Sequence, residues 1–282
     1  MEKVYYNAPK EIVELNLERC ENKAKLPLPK MILMGIMAGI FIALGGATSS
    51  TAVHAIDNVG LARTLAGAVF PIGLMLIVFL GGELFTGNGL IIMAVLDKRV
   101  TYAQMFRNLF IVYFSNYVGA MLINYLLIFS GNLNYSDGRM GAYLINTAFK
   151  KMSITPLQGL TSGILCNILV CLAIMMATAS TDIAGKIWAI FFPIWAFVIA
   201  GFEHCIANMY YIPIGIMATH NANYVEKAQE IYGMTLEQIE GMSHLGSLRN
   251  FIPVTLGNLI GGVVFVGVIS YLIHKKDWGK KA

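Results

Sequence analysis

The residues of this 282-residue chain that could do chemistry are few and unevenly placed. Six apolar stretches (31–53, 65–96, 108–130, 157–180, 187–218 and 251–273) hold 157 residues and two formal charges, Glu83 and Glu203. His204 follows Glu203 directly and is the single histidine in those stretches. An imidazole titrates near neutral pH, so His204 can donate a hydrogen bond, accept one, or relay a proton. A structural reading stands beside each of these. A lone buried histidine can be a satisfied core residue. For Glu83 and Glu203 the structural role is the stronger one: carboxylates that accept hydrogen bonds from loop N–H groups. Hydrolytic chemistry lacks its patterns, since neither H-E-x-x-H nor G-x-S-x-G occurs. His54, His220, His244 and His274 lie outside the six stretches, so a metal at His204 would lack ligands.

The elements that must position these groups follow from composition. Apolar residues make up 57% of the chain and charged residues 13%, against roughly 45–50% and 25% in soluble proteins. Charge this sparse cannot cover a soluble fold of this size. An all-α integral membrane protein is expected, forming one transmembrane domain over 1–282; a soluble enzyme, a nucleic-acid partner and a disordered chain are excluded. Cys20, Cys166, Cys171 and Cys205 have no metal spacing, so they read as packing residues, and no cofactor is implied. The first 30 residues are polar and charged, so no cleavable signal sequence is expected there.

A bilayer core about 30 Å thick takes roughly 20 helical residues. Four stretches have that length. The stretches 65–96 and 187–218 are too long and are interrupted, the first by Pro71, Gly81-Gly82-Glu83 and Thr86-Gly87-Asn88-Gly89, the second by Pro193, Gly201-Phe202-Glu203-His204 and Pro213. Six transmembrane helices are therefore predicted, the second and fifth broken. Non-helical backbone at membrane depth is tolerated where it is buried in protein or lines a water-filled cavity. With six spans, both termini share a face holding 14 Lys and Arg against 6 on the other. This predicts cytoplasmic termini in the cytoplasmic (inner) membrane. Residues 1–30 should contain an amphipathic cytoplasmic helix with Val13, Leu17, Cys20 and Ala24 on one side, and 274–282 a cytoplasmic tail. Thr235 and Gln238 form a capping-box pattern in the external 220–250 loop.

The chain also repeats. Gly35-Ile-Met-Ala-Gly39-Ile40 matches Gly159-Leu-Thr-Ser-Gly163-Ile164, an offset of 124 residues, and Asn116-Tyr-Val-Gly119 matches Asn258-Leu-Ile-Gly261, an offset of 142. Repeat one is expected over 31–130 and repeat two over 157–273. Three-span copies must be inverted, which places a permeation site at their interface.

The motifs at the breaks name a family. Phe79-Leu-Gly-Gly-Glu-Leu-Phe-Thr-Gly87 and Gly163-Ile-Leu-Cys-Asn-Ile-Leu-Val-Cys-Leu-Ala173 resemble two signatures of the formate/nitrite transporter family. Gly201-Phe-Glu-His-Cys-Ile-Ala-Asn-Met209 and Ile252-Pro-Val-Thr-Leu-Gly-Asn-Leu-Ile-Gly-Gly262 resemble its histidine-bearing break and last span. The resemblance covers roughly 5–275. It implies an aquaporin-like protomer of inverted repeats, a homopentamer in membrane lipid with one pore per protomer, and passage of a small monovalent anion. His204 matches the family's central histidine, Thr86 its partner, Asn258 the last-span asparagine, and Lys151 an anion-attracting external lysine, with Lys150 leaving that register open. Phe70, Leu74 and Phe197 match the apolar constrictions.

These parts make a coherent device: a basic vestibule gathers anions, an apolar constriction rejects a hydrated ion, and His204, oriented by Thr86 and Asn258, assists the crossing. Formate is the expected substrate, with nitrite or hydrosulfide as the alternative of the same class. An intramembrane enzyme is disfavoured, and so is a water or glycerol channel, because Asn-Pro-Ala is absent from both breaks.

Overall fold

A computed structural model describes residues 6–275. The chain runs α1 (Pro9–Ala24), α2 (Leu28–Val53), α3 (Val59–Val69), α4 (Ile72–Leu80), α5 (Phe85–Asn88), a 3-10 turn (Gly89–Ile91), α6 (Ile92–Leu96), α7 (Tyr102–Phe129), α8 (Arg139–Met152) and α9 (Pro156–Ala179). It continues through α10 (Ile183–Ala200), α11 (Cys205–Ala218), α12 (Ala222–Tyr232), α13 (Leu236–Glu240), α14 (Leu248–Ile260), a π-helix (Gly261–Val268) and α15 (Ile269–His274).

Among the described residues, six helices are long and apolar enough to cross a bilayer: Leu28–Val53, Val59–Leu80, Tyr102–Phe129, Pro156–Ala179, Ile183–Ala200 and Leu248–His274. The second begins earlier than its uncharged stretch, because Asn58 caps it, accepting from the Leu61 N–H at 2.9 Å, and Arg63 lies inside its first turns. It passes Pro71 with a single turn and ends at Gly81. Gly81 and Gly201 close the two halves in the same way, with φ of +84° and +72°, a region a side chain resists. Extended segments follow, and then the short helices Phe85–Leu96 and Cys205–Ala218 re-enter the apolar interior.

The repeat is larger than the spans. Helix α8 occupies part of what reads in sequence as a polar connection, and it packs on α11 as α1 packs on the 3-10 turn and α6. Likewise α2 pairs with α7, and α9 with α14. The register of the first helix pair also differs from the glycine match. The Asn116 amide donates to the Gly35 carbonyl, and the Asn258 amide donates to the Gly163 carbonyl. Gly35 therefore corresponds to Gly163, one helical turn beyond Gly159. Small residues recur every fourth position on these helices, so the sequence match is degenerate by a turn and the asparagine contacts decide it.

The small residues let backbones touch inside the chain. A Cβ at Gly119 would stand 2.0 Å from the Ile36 carbonyl oxygen. Helix α1 buries Val13, Leu17, Cys20 and Ala24, as its periodicity predicts, and rests them on protein. Thr235 and Gln238 exchange the expected capping bonds at the start of α13.

Candidate functional site

Each break is stitched by one asparagine. Asn116 Nδ2 donates to the carbonyls of Gly35 (2.7 Å) and Glu83 (2.8 Å), and its Oδ1 accepts from the Phe85 N–H (3.0 Å). Asn258 Nδ2 donates to Gly163 (2.8 Å) and Glu203 (2.9 Å), and its Oδ1 accepts from Cys205 (2.8 Å). Asn258 thus grips the backbone on both sides of His204, where the sequence reading had it orient the ring itself. Its amide is fully engaged with main chain.

The glutamates are held by side chains, where backbone N–H donors were expected. Glu83 accepts from Lys23 Nζ at 2.8 Å and from Asn88 Nδ2 at 2.7 Å; Asn88 Nδ2 also donates to Asn108 Oδ1, and Asn108 Nδ2 to the Lys23 carbonyl. Glu203 accepts from Lys151 Nζ at 2.8 Å and from Asn208 Nδ2 at 2.7 Å; Asn208 Nδ2 donates to Asn250 Oδ1, and Asn250 Nδ2 to the Lys151 carbonyl. These four bonds occur in both circuits; in addition Lys23 Nζ donates to Asn88 Oδ1 at 2.9 Å in the first, and Asn250 Nδ2 to Glu203 at 3.1 Å in the second. Lys151, matched by resemblance to an anion-attracting external lysine, lines a cavity on the face opposite α1, is tied to Glu203 and lies 5.3 Å from the centre of the Tyr211 ring. It is Lys151, one residue past Lys150, that makes this bond.

Lys23, Asn88, Asn108, Asn208 and Asn250 were missed by the reading of the sequence. A signal existed. Glu83 and Asn88 are five apart, as are Glu203 and Asn208; Asn108 and Asn116 are eight apart, as are Asn250 and Asn258.

His204 sits at the N-cap of α11 and is buried. Its Nδ1 accepts from the Ala207 N–H at 3.1 Å, so the ring proton belongs on Nε2, which lies 2.9 Å from Thr86 Oγ1 and donates to it. Phe197 lies 6.0 Å from the imidazole, ring centre to ring centre, and Phe70 meets Phe197 edge-on at 5.7 Å. Ile42, Leu74, Leu84, Val170 and Ile194 complete a waist whose free volume is about 10 Å³, at the lower limit of what a water needs. Phe70, Leu74 and Phe197, chosen by resemblance, all line it.

A vestibule opens on either side. On the face carrying α1, a cavity of about 480 Å³ is lined by Arg19, Lys23, Lys186 and Glu83, and reaches Leu74 and Leu84 of the waist. On the opposite face a cavity of about 530 Å³ is lined by Arg63, Arg139, Lys150 and Lys151 with Asp57 and Glu203. Cations outnumber carboxylates in both. Two basic chambers thus lie on either side of an apolar waist that holds one imidazole, and the chamber on the α1 face shares Leu74 and Leu84 with that waist.

The sequence profile of the formate/nitrite transporter family matches residues 10–272, nearly the whole chain. The chain belongs to the formate/nitrite transporter family. Its fellow members are transporters and channels, not enzymes, and it is a multi-pass membrane protein of that type. A probable formate transporter of Methanothermobacter thermautotrophicus is 36% identical over 96% of this chain and 98% of its own. The formate channel FocA of Haemophilus influenzae is 36% identical over 86% of each. A solved pentameric formate channel with formate bound superposes with a TM-score of 0.77 and 33% identity, covering 88% of this chain and 98% of its own. These similarities agree with the six spans and two broken helices predicted from sequence.

Proposed function

We propose that this family member passes formate across the cytoplasmic membrane as a homopentamer, one pore per protomer, with both termini in the cytoplasm. The observation that carries the reading is the Thr86–His204 hydrogen bond at the waist between two basic vestibules. The similarity to a pentameric formate channel and the 14-to-6 bias of basic residues support the assembly and the orientation.

Net positive charge in each vestibule raises the local concentration of a small anion. Lys23 and Lys151 contribute within neutral Lys–Glu pairs, so Arg19 and Lys186 on one side, and Arg63 and Lys150 on the other, supply the excess. An unpaired charge entering a dry apolar waist costs many kcal/mol. Formate takes a proton that His204 has gained from hydronium in the vestibule, which returns the imidazole to its neutral form, and crosses as neutral formic acid that escapes that cost. His204 Nε2–H donates to Thr86 Oγ1, which leaves the Thr86 hydroxyl proton to meet an oxygen of the substrate in the waist. The donor chain replaces hydration where no water fits.

Stopped-flow uptake of formate, nitrite, hydrosulfide and chloride into proteoliposomes tests the substrate, with formate fastest. The His204→Phe variant should lose or strongly alter the pH dependence of formate flux; an unchanged profile overturns the role of the imidazole.

A further inference from the structure

The pseudo-twofold separates residues that build the fold from residues that do not repeat. Lys23, Gly35, Glu83, Asn88, Asn108 and Asn116 recur as Lys151, Gly163, Glu203, Asn208, Asn250 and Asn258, and most of their bonds recur with them. Three polar residues at the centre have no polar twin. By the same offsets His204 corresponds to Leu84, Thr86 to Ile206 and Asn167 to Gly39. The first two form the hydrogen bond at the waist. Asn167 belongs to the second sequence signature, Gly163–Ala173, and lies outside both asparagine–glutamate circuits.

Asn167 lies in α9 and is fully buried. Its Nδ2 donates to the Thr86 carbonyl at 3.1 Å and to the Asn258 carbonyl at 2.6 Å. One amide therefore joins the main chain of the residue that receives the imidazole proton to the main chain of the residue that grips both sides of His204. Its Oδ1 is buried with no partner among the described residues. A leucine would fill similar space without stranding an oxygen, so packing alone does not account for an asparagine here.

The surroundings are shaped for this amide. Helix α5 has four residues and cannot satisfy its own carbonyls; Cys171, one turn beyond Asn167, directs its thiol to the same Thr86 carbonyl at 3.5 Å. The last span leaves α geometry just after Asn258, as a π-helix over Gly261–Val268, whereas its counterpart α7 is α-helical throughout. Such bulges concentrate at functional positions. Gly262, inside it, has no side chain where a Cβ would stand 2.5 Å from Asn167 Nδ2 and 2.9 Å from Cys171 Sγ.

We infer that Asn167 is the positioning residue of the pore centre: by clamping the Thr86 and Asn258 carbonyls, it sets the distance at which the two repeats bring the Thr86 hydroxyl to His204. Asn167 touches neither the substrate nor the imidazole and acts through the other two. This rests on the proposed role of His204 in permeation.

Two readouts test it. In protein labelled with ¹⁵N-histidine, with the His204 signal assigned from its loss in His204→Asn, Asn167→Leu should move the His204 Nε2 resonance as Thr86→Val does. In proteoliposomes, both variants should shift the midpoint of the pH profile of formate flux in the same direction, by roughly half a pH unit or more for one lost hydrogen bond. The double variant should equal Thr86→Val alone. Glu203, which precedes His204, and its ion-pair partner Lys151 are substituted in none of the three, so the shift is not theirs. Gly262→Ala, which leaves Asn167 in place and displaces its amide, is the second route if Asn167→Leu does not assemble, and should move the same resonance. An unmoved His204 resonance, or additive flux effects of Asn167→Leu and Thr86→Val, overturns the inference. If His204→Asn leaves flux unchanged, the permeation role falls, and the resonance still decides whether Asn167 sets the geometry.

Discussion

Asn258 does for the second break what Asn116 does for the first. Each donates to two buried carbonyls, one on a neighbouring span and one on the glutamate of its break, and each accepts the first N–H of the following short helix. Replacing either with Leu strands two buried main-chain groups of the break, the glutamate carbonyl and the first N–H of the short helix, each worth about 1–3 kcal/mol, and removes a second bond to a helical carbonyl. Asn116→Leu and Asn258→Leu should therefore lower the thermal midpoint in detergent strongly and to a similar extent. A large loss in one and none in the other would break the equivalence of the two stitches.

The Lys151–Glu203 pair is nearly buried, with Lys23–Glu83 as its twin. Lys151→Met should destabilise by about 3–5 kcal/mol, because it leaves a carboxylate buried without its cation. Lys151→Met/Glu203→Gln should recover most of that loss in the same melting assay. Failure of the double variant to recover would place the cost in lost packing against Tyr211 instead.

Arg63 lines the vestibule opposite α1, and its one bond among the described residues is to the Ile199 carbonyl at 3.4 Å, so no carboxylate offsets its charge. Arg63→Gln should reduce formate flux several-fold at low ionic strength and much less at high salt, where the Debye length falls to about 3 Å at 1 M. Equal loss at both salts would argue against electrostatic gathering.

Thr86→Ser keeps the hydroxyl that meets His204 Nε2, and Thr86→Val keeps only the shape. Flux should stay near wild type in the first and fall about two- to tenfold in the second, the weight of about 0.5–1.5 kcal/mol for a hydrogen bond between neutral groups. Similar losses in both would point to the methyl group.

Glu14 ties α1 to the rest of its face, accepting from Lys275 Nζ at 2.6 Å and from Arg99. Lys275 first, and Arg99 after it, hold the Glu14 carboxyl below the usual carboxylate range. A lowered folded-state value stabilises above the ordinary carboxylate pKa, and the contribution is lost as pH falls through the lowered one. Glu14 is half exposed, so the effect is at most about 1 kcal/mol. Hydrogen exchange in α1 should rise below about pH 4, the range in which a carboxylate of lowered pKa takes up its proton. Glu14→Gln should show the faster exchange already at neutral pH.

By itself the sequence determined the solvent, the spans and the breaks. A bilayer demands about 20 apolar residues per crossing, so the two overlong stretches announced their interruptions, and Glu83, Glu203 and His204 stood out against them. Three spans repeated once had to be inverted. Tertiary structure decided what each polar group bonds. Gly35 resembled Gly159 as well as Gly163, because small residues recur every turn, and only the reach of Asn116 and Asn258 separates the two. Lys23 read as one charge on a surface helix until α1 docked beneath the first break. Lys151 read as free until α8 brought it to Glu203. Asn167 was one polar residue in an apolar helix, and its meaning depends on two carbonyls 81 and 91 residues away. Hydropathy is carried along the chain, whereas a hydrogen-bond partner is set by which helix faces meet. No local pattern encodes that meeting.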